Sequence, residues 1–131
     1  MDRGVSEDVL SRIRIPLVRR AVLTVADRTE DVFVIDIGLA GVFVERPVPL
    51  AVGEKLQISF CLPENEIPIN ARCRVAWWHD AQAPAASKAL PAGAGLEFVE
   101  ISREDSQRLR DYITEYYRRE PHSRRFVRHR V

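Results

Sequence analysis

A chain of 131 residues, 46% of them hydrophobic, holds enough apolar material for one domain with its own core and too little length for two. Its two cysteines, Cys61 and Cys73, allow one pairing, show no metal-ligand spacing and follow no secretory signal, so neither a disulfide framework nor a metal site is expected. The formal charge of +1 conceals an uneven distribution: residues 1–20 carry five Arg against three acids, 21–102 carry six bases against eleven acids, and 103–131 carry nine bases against five acids.

Residues 1–19 show no sustained strand pattern, and Pro16 disfavours helix at Ile15, so this stretch reads as an Arg-rich N-terminal arm with room for one helical turn. From Ala21 the composition changes to β-branched and aromatic runs. Ala21 to Ala26, Val32 to Asp36 and Gly41 to Glu45 read as three strands, divided by the polar stretch Asp27 to Asp31 and by a glycine turn. Lys55 to Leu62 alternates with Leu56, Ile58, Phe60 and Leu62 on one face, the period of a half-buried strand. Ile69, Ala71, Cys73, Val75 and Trp77 alternate against Asn70, Arg72, Arg74 and Trp78 in a long fifth strand, which puts one Trp inside and one outside. His79 to Gly93 is rich in Ala and Pro and reads as an exposed connection, followed by a sixth strand from Gly95 to Ile101.

Ser102 and Asp105 resemble a capping box, and Leu109, Tyr112, Ile113, Tyr116 and Tyr117 follow at helical spacing before Pro121. Residues 122–131 add four Arg and no acid, a basic tail. No run approaches the ~20 apolar residues of a membrane-spanning helix, so a cytoplasmic protein is expected. The fold class is therefore mainly β: a six-stranded antiparallel barrel with a C-terminal helix. Its parts are an arm at 1–19, a barrel plus helix at 20–120 and a tail at 121–131.

Catalytic chemistry has no foothold in this pattern. A nucleophile needs an activating base, and His79, His122 and His129 stand near no Ser or Cys motif. The acids Asp27, Glu30, Asp31, Glu64 and Glu66 fall in polar turns, where solvation is the default. Binding is the expected mode of action.

The most informative segment is the turn Asp36-Ile37-Gly38-Leu39-Ala40-Gly41 between two apolar strands. The order of an Arg-rich arm, a D-x-G-x-x-G turn, Val42 to Glu45, then Val52, Gly53, Lys55 and Leu56, and Pro63 resembles the PilZ domain family. Ala71 to Trp77 is similar to its A-x-V-x-W strand, and Gly93, Gly95, Leu96, Phe98, Ile101 and Ser102 to its G-x-G-x-x-F strand leading into the last helix. The resemblance covers roughly residues 12 to 117. It implies a six-stranded barrel and a regulatory binding module, because many PilZ domains are receptors for cyclic di-GMP.

The family's ligand site joins an RxxxR arm to a D/N-x-S-x-x-G turn. Arg reads a guanine edge bidentately and neutralises phosphate, while the turn's acid and Ser supply short polar contacts. Here Asp36 and Gly41 match the turn, but Gly38 stands where Ser is expected. Arg12, Arg14, Arg19 and Arg20 contain no RxxxR, and with Arg14 in the second position the first falls on Leu10. A lost bidentate Arg contact costs roughly 1 to 3 kcal/mol and a lost neutral hydrogen bond about 0.5 to 1.5. Together they weaken binding by about one to three orders of magnitude.

The leading expectation is thus a PilZ-like adaptor whose cyclic di-GMP site, Arg12, Arg14, Asp36, Gly38 and Gly41, is vestigial. It would act through protein contacts in motility, polarity or surface behaviour, with Trp78, Arg118 and Arg119 as candidate partner contacts. The alternative is a working cyclic di-GMP receptor that folds its Arg arm over the ligand. Nucleic-acid binding through Arg124, Arg125, Arg128, Arg130 and Phe126 has one aromatic and no basic sheet face behind it, so a nucleic-acid partner is not expected.

Overall fold

Alternating apolar residues give each strand an inner and an outer side, and enough such strands in succession close on themselves to remove their edges. The computed structural model describes residues 6–63, 65–83 and 90–120. Within them β1 (Ile15–Val25), β2 (Arg28–Ile37), β3 (Gly41–Glu45), β4 (Lys55–Phe60), β5 (Ile69–His79) and β6 (Gly93–Ile101) form a closed barrel. All neighbours are antiparallel, in the order β1, β2, β3, β6, β5, β4. A short helix α1 (Glu7–Leu10) precedes the barrel and α2 (Arg103–Arg119) follows it. Residues 84–89 of the Ala/Pro connection and the tail 121–131 lie outside the described residues.

Leu23, Val34, Val42, Ile58, Ile69, Val75 and Leu96, one or two from each strand, fill the interior with almost no exposure. Helix α2 is capped by Ser102, whose Oγ accepts from the Asp105 amide at 3.0 Å. It buries Leu109 and Ile113 and sets Tyr112, Tyr116 and Tyr117 against the core. Burial of that stripe, not helix propensity, holds α2 in place. Arg108 adds a 2.6 Å bond to the carbonyl of Ile67 beside β5.

The first two strands are longer than their composition suggests. Asp27 to Asp31 is not a loop: Ala26, at φ 55°, and Asp27 make a tight hairpin, and Thr29 and Asp31 pair with Thr24 and Val22. A closed barrel leaves its outer wall to water, so acids fit there without cost to the core. Likewise β1 starts at Ile15, six residues before Ala21, which places Arg19 and Arg20 in the barrel wall and leaves only the residues before Ile15 as an arm. Pro16 stands at the edge of a shift in the β1–β2 register, between Pro16 and Arg19, the kind of irregularity at which strands accept proline.

A second register shift decides the two tryptophans. On β5 the pairing steps from Val75–Leu96 to Trp77–Gly95, so Ala76 is an extra residue and the inside–outside alternation slips by one. Trp78 therefore packs against the core, opposite the fully buried Ala94. Trp77, aligned by period two with Val75 and Cys73, lies instead across Gly95 beside Phe43, with ring centroids 5.3 Å apart.

Candidate functional site

The chain reverses between β2 and β3 at residues 38–40, and the turn is closed by the Gly38 amide donating to the carbonyl of Gly41 at 2.9 Å. A further bond, from the Phe98 amide to the carbonyl of Ala40 at 2.8 Å, fastens it to β6. The turn is thus part of the wall. Against it lies Arg14, the only charged residue among the described ones that is buried. Its Nε and Nη2 donate to Asp36 Oδ1 at 3.1 and 2.5 Å, and its Nη1 donates to the carbonyl of Gly41 at 3.2 Å. Side-chain exposure is 8% for Arg14 and 22% for Asp36, so this pair is shielded from solvent.

Gly38 explains how the guanidinium comes so close. A Cβ at this position would stand 2.9 Å from the carbonyl oxygen of Ile13, 3.1 Å from Arg14 Cδ and 3.2 Å from Arg14 Nη1. Arg14 fills the volume that a side chain at 38 would occupy. Buried charge is costly unless paired and hydrogen-bonded, and here every one of its three nitrogens finds an acceptor.

The residues before Arg14 reinforce this arrangement. Ser6 caps α1 by accepting from the Val9 amide at 3.1 Å, Leu10 and Ile13 are buried in the core, and Arg110 of α2 donates to Glu7 at 2.7 Å. That hydrogen bond holds the Glu7 carboxyl below its ordinary value of 4.5. Arg12 turns away from the turn and pairs with Asp8 at 3.0 Å.

Of the five sequence-derived ligand residues, then, Arg14, Asp36, Gly38 and Gly41 meet and Arg12 stands apart. The three candidate partner residues are not one surface. Trp78 is half-buried against the core, a correction to its assignment to the exposed face that follows from the extra residue in β5. Arg118 and Arg119 sit together on the last turn of α2, each about half exposed and each paired with Glu115 at 3.6 and 3.9 Å. Phe43, Trp77 and Gly95 were not singled out as a group. They form one row across β3, β6 and β5, where a Cβ on Gly95 would fall 2.0 Å from Trp77 Nε1. The clue was the glycine of G-x-G facing the Trp of A-x-V-x-W, once those strands are paired.

Among the described residues, Cys73 is shielded and His79 is engaged. Burial pushes the Cys73 thiol up to about 12, and both cysteines are free. His79 lies edge-on to Trp77 with centroids 6.4 Å apart. Among the described residues, no three His, Cys, Asp or Glu side chains cluster as a metal would require, and no helix is long and apolar enough to cross a membrane.

Residues 11–115 match the family model of the PilZ domain. A comparison with curated proteins finds no match. Among solved structures, the Bacillus subtilis inhibitor of motility, MotI/DgrA, superposes with a TM-score of 0.69 at 21% identity, over 82% of this chain and 51% of that one. Escherichia coli YcgR, solved in complex with c-di-GMP, gives 0.62 at 15% identity over 83% and 46%. Borreliella burgdorferi PlzA, also solved in complex with c-di-GMP, gives 0.53 at 15% over 83% and 38%. The chain spans about half the length of these proteins or less, and at such identities the likeness is one of fold.

Proposed function

The chain belongs to the PilZ domain family, and from that premise we propose a non-enzymatic regulatory module of cyclic di-GMP signalling whose ligand turn is filled by its own Arg14 and whose output is contact with a protein partner. One observation carries this reading: the guanidinium of Arg14 already satisfies Asp36 and the Gly41 carbonyl. A dinucleotide entering the turn must first break those bonds, and a hydrogen bond to a charged group contributes about 1.5–3 kcal/mol. That cost adds to the absence of a Ser hydroxyl at Gly38 and of a guanidinium at Leu10, which is buried in the core and supplies no donor. Binding is lost or weak.

The ligand to test is set by the relatives, since YcgR and PlzA were solved with c-di-GMP. Similarity to an inhibitor of motility supports a role in motility, polarity or surface behaviour. Arg118 and Arg119, at the exposed end of α2, remain the candidate partner contacts from the original set, because Arg is enriched at the energetic centres of interfaces. A non-catalytic role is supported by the elevated Cys73 thiol, which leaves almost no thiolate near neutral pH.

Titration calorimetry with cyclic di-GMP tests the proposal. The expected result is no saturable heat below about 100 µM ligand. Micromolar binding abolished by both Arg14→Ala and Asp36→Ala would instead establish a working receptor in which Arg14 leaves the turn for the ligand.

A further inference from the structure

The turn between β2 and β3 holds its neighbour entirely through acceptors. Asp36 Oδ1 accepts from Nε and Nη2 of Arg14, and the Gly41 carbonyl accepts from Nη1. The Gly38 amide is spent inside the turn, on that same carbonyl. Acceptors grouped with a carboxylate favour a cation over an anion.

The space between them is also shaped for a flat group. A Cβ on Gly38 would stand 3.1 Å from Arg14 Cδ and 3.2 Å from Arg14 Nη1, so the guanidinium lies against bare backbone. Its donors then diverge in one plane, two of them to Asp36 and one to Gly41. A guanidinium offers such a fork, whereas an ammonium is a compact point charge that does not reproduce that spread.

We infer that the turn is a binding site for a guanidinium cation, resting on the proposed role of Arg14 as its occupant but reversing the charge of the ligand that the site is built to take. The chain supplies this ligand itself. Leu10 and Ile13 are buried in the core and keep Arg14 beside the turn, so the intact site is saturated by its own arginine. Truncating Arg14 to Ala removes two methylenes and the guanidinium, the atoms of an ethylguanidinium ion. The Asp36 side chain is 22% exposed, so the slot borders solvent and a free ion can enter it.

Thermal unfolding of Arg14→Ala with added ethylguanidinium tests the site. With a millimolar Kd, about 20 mM of the ion raises Tm by about 3 °C or more. Ethylammonium, of equal charge without the fork, raises it by less than about 1 °C, and the wild-type chain, its slot filled, responds to neither ion. Adding Gly38→Ser, which narrows the slot, or Asp36→Asn, which removes its charge, abolishes the response. No response from Arg14→Ala, equal stabilisation by ethylammonium, or an equal response from the wild-type chain overturns the proposal. Arg14→Lys needs no added ligand and covers the case in which Arg14→Ala does not fold: it is expected to melt about 5 °C or more below wild type. A melting point equal to that of wild type overturns the proposal as well. Micromolar binding of cyclic di-GMP by the wild-type chain would overturn the proposed function while leaving these responses in place, so the two failures are told apart.

Discussion

Arg14 does two jobs that oppose each other: its charge would suit a phosphate or a guanine edge, yet its position makes it part of the wall. Removing one member of a shielded ion pair leaves the other uncompensated, so Arg14→Ala is expected to cost about 3 kcal/mol in chemical denaturation. Gly38→Ser, the change toward the family pattern, is expected to destabilise by about 1–3 kcal/mol, because its Cβ must displace the Ile13 carbonyl or the arginine. Two of its three close contacts are Arg14 atoms, so the two changes are not additive and Gly38→Ser costs less in the Arg14→Ala background. Equal costs in both backgrounds would separate Gly38 from Arg14. The departure of Gly38 from the Ser pattern was legible in the sequence, and so was the absence of RxxxR. That Gly38 and Arg14 are one packing unit was not, because 23 residues of chain lie between them and only the folded barrel brings them together.

At the scale of elements, alternation revealed Lys55 to Phe60 and Ile69 to Val75, and helical spacing revealed α2 with its Ser102 cap. Periodicity failed where strands carry register shifts, at Pro16 to Arg19 and at Val75 to Trp77, since an extra residue is invisible until the partner strand is present. Polarity misled at Asp27 to Asp31, where the outer wall accepts acids. Helix α1, four residues long, has no intrinsic stability and depends on Leu10 and on the Glu7–Arg110 bond. The Glu7 carboxyl is depressed in the folded chain, so its contribution is present above its ordinary value of 4.5 and is lost as the pH falls through the folded value. Backbone NMR shifts of Glu7–Leu10 are expected to move toward coil on acidification, ahead of barrel unfolding, and Glu7→Gln is expected to remove that pH dependence. A transition unchanged in Glu7→Gln would assign it to another carboxylate.

The whole molecule is a barrel with the family's architecture in which Arg14 packs against the turn between β2 and β3. In such a design the arm needs no ligand to fix it: Leu10 and Ile13 are buried, Arg110 holds α1, and Arg14 holds the turn. On the proposed function, the surface presented to a partner is then the same with or without the dinucleotide. The most direct test is to follow the Arg14 Nε–H resonance by NMR while cyclic di-GMP is added. The account predicts a slowly exchanging signal that keeps its shift up to about 100 µM ligand. A signal that moves and saturates at micromolar ligand would show that Arg14 opens to admit the dinucleotide, and would contradict it.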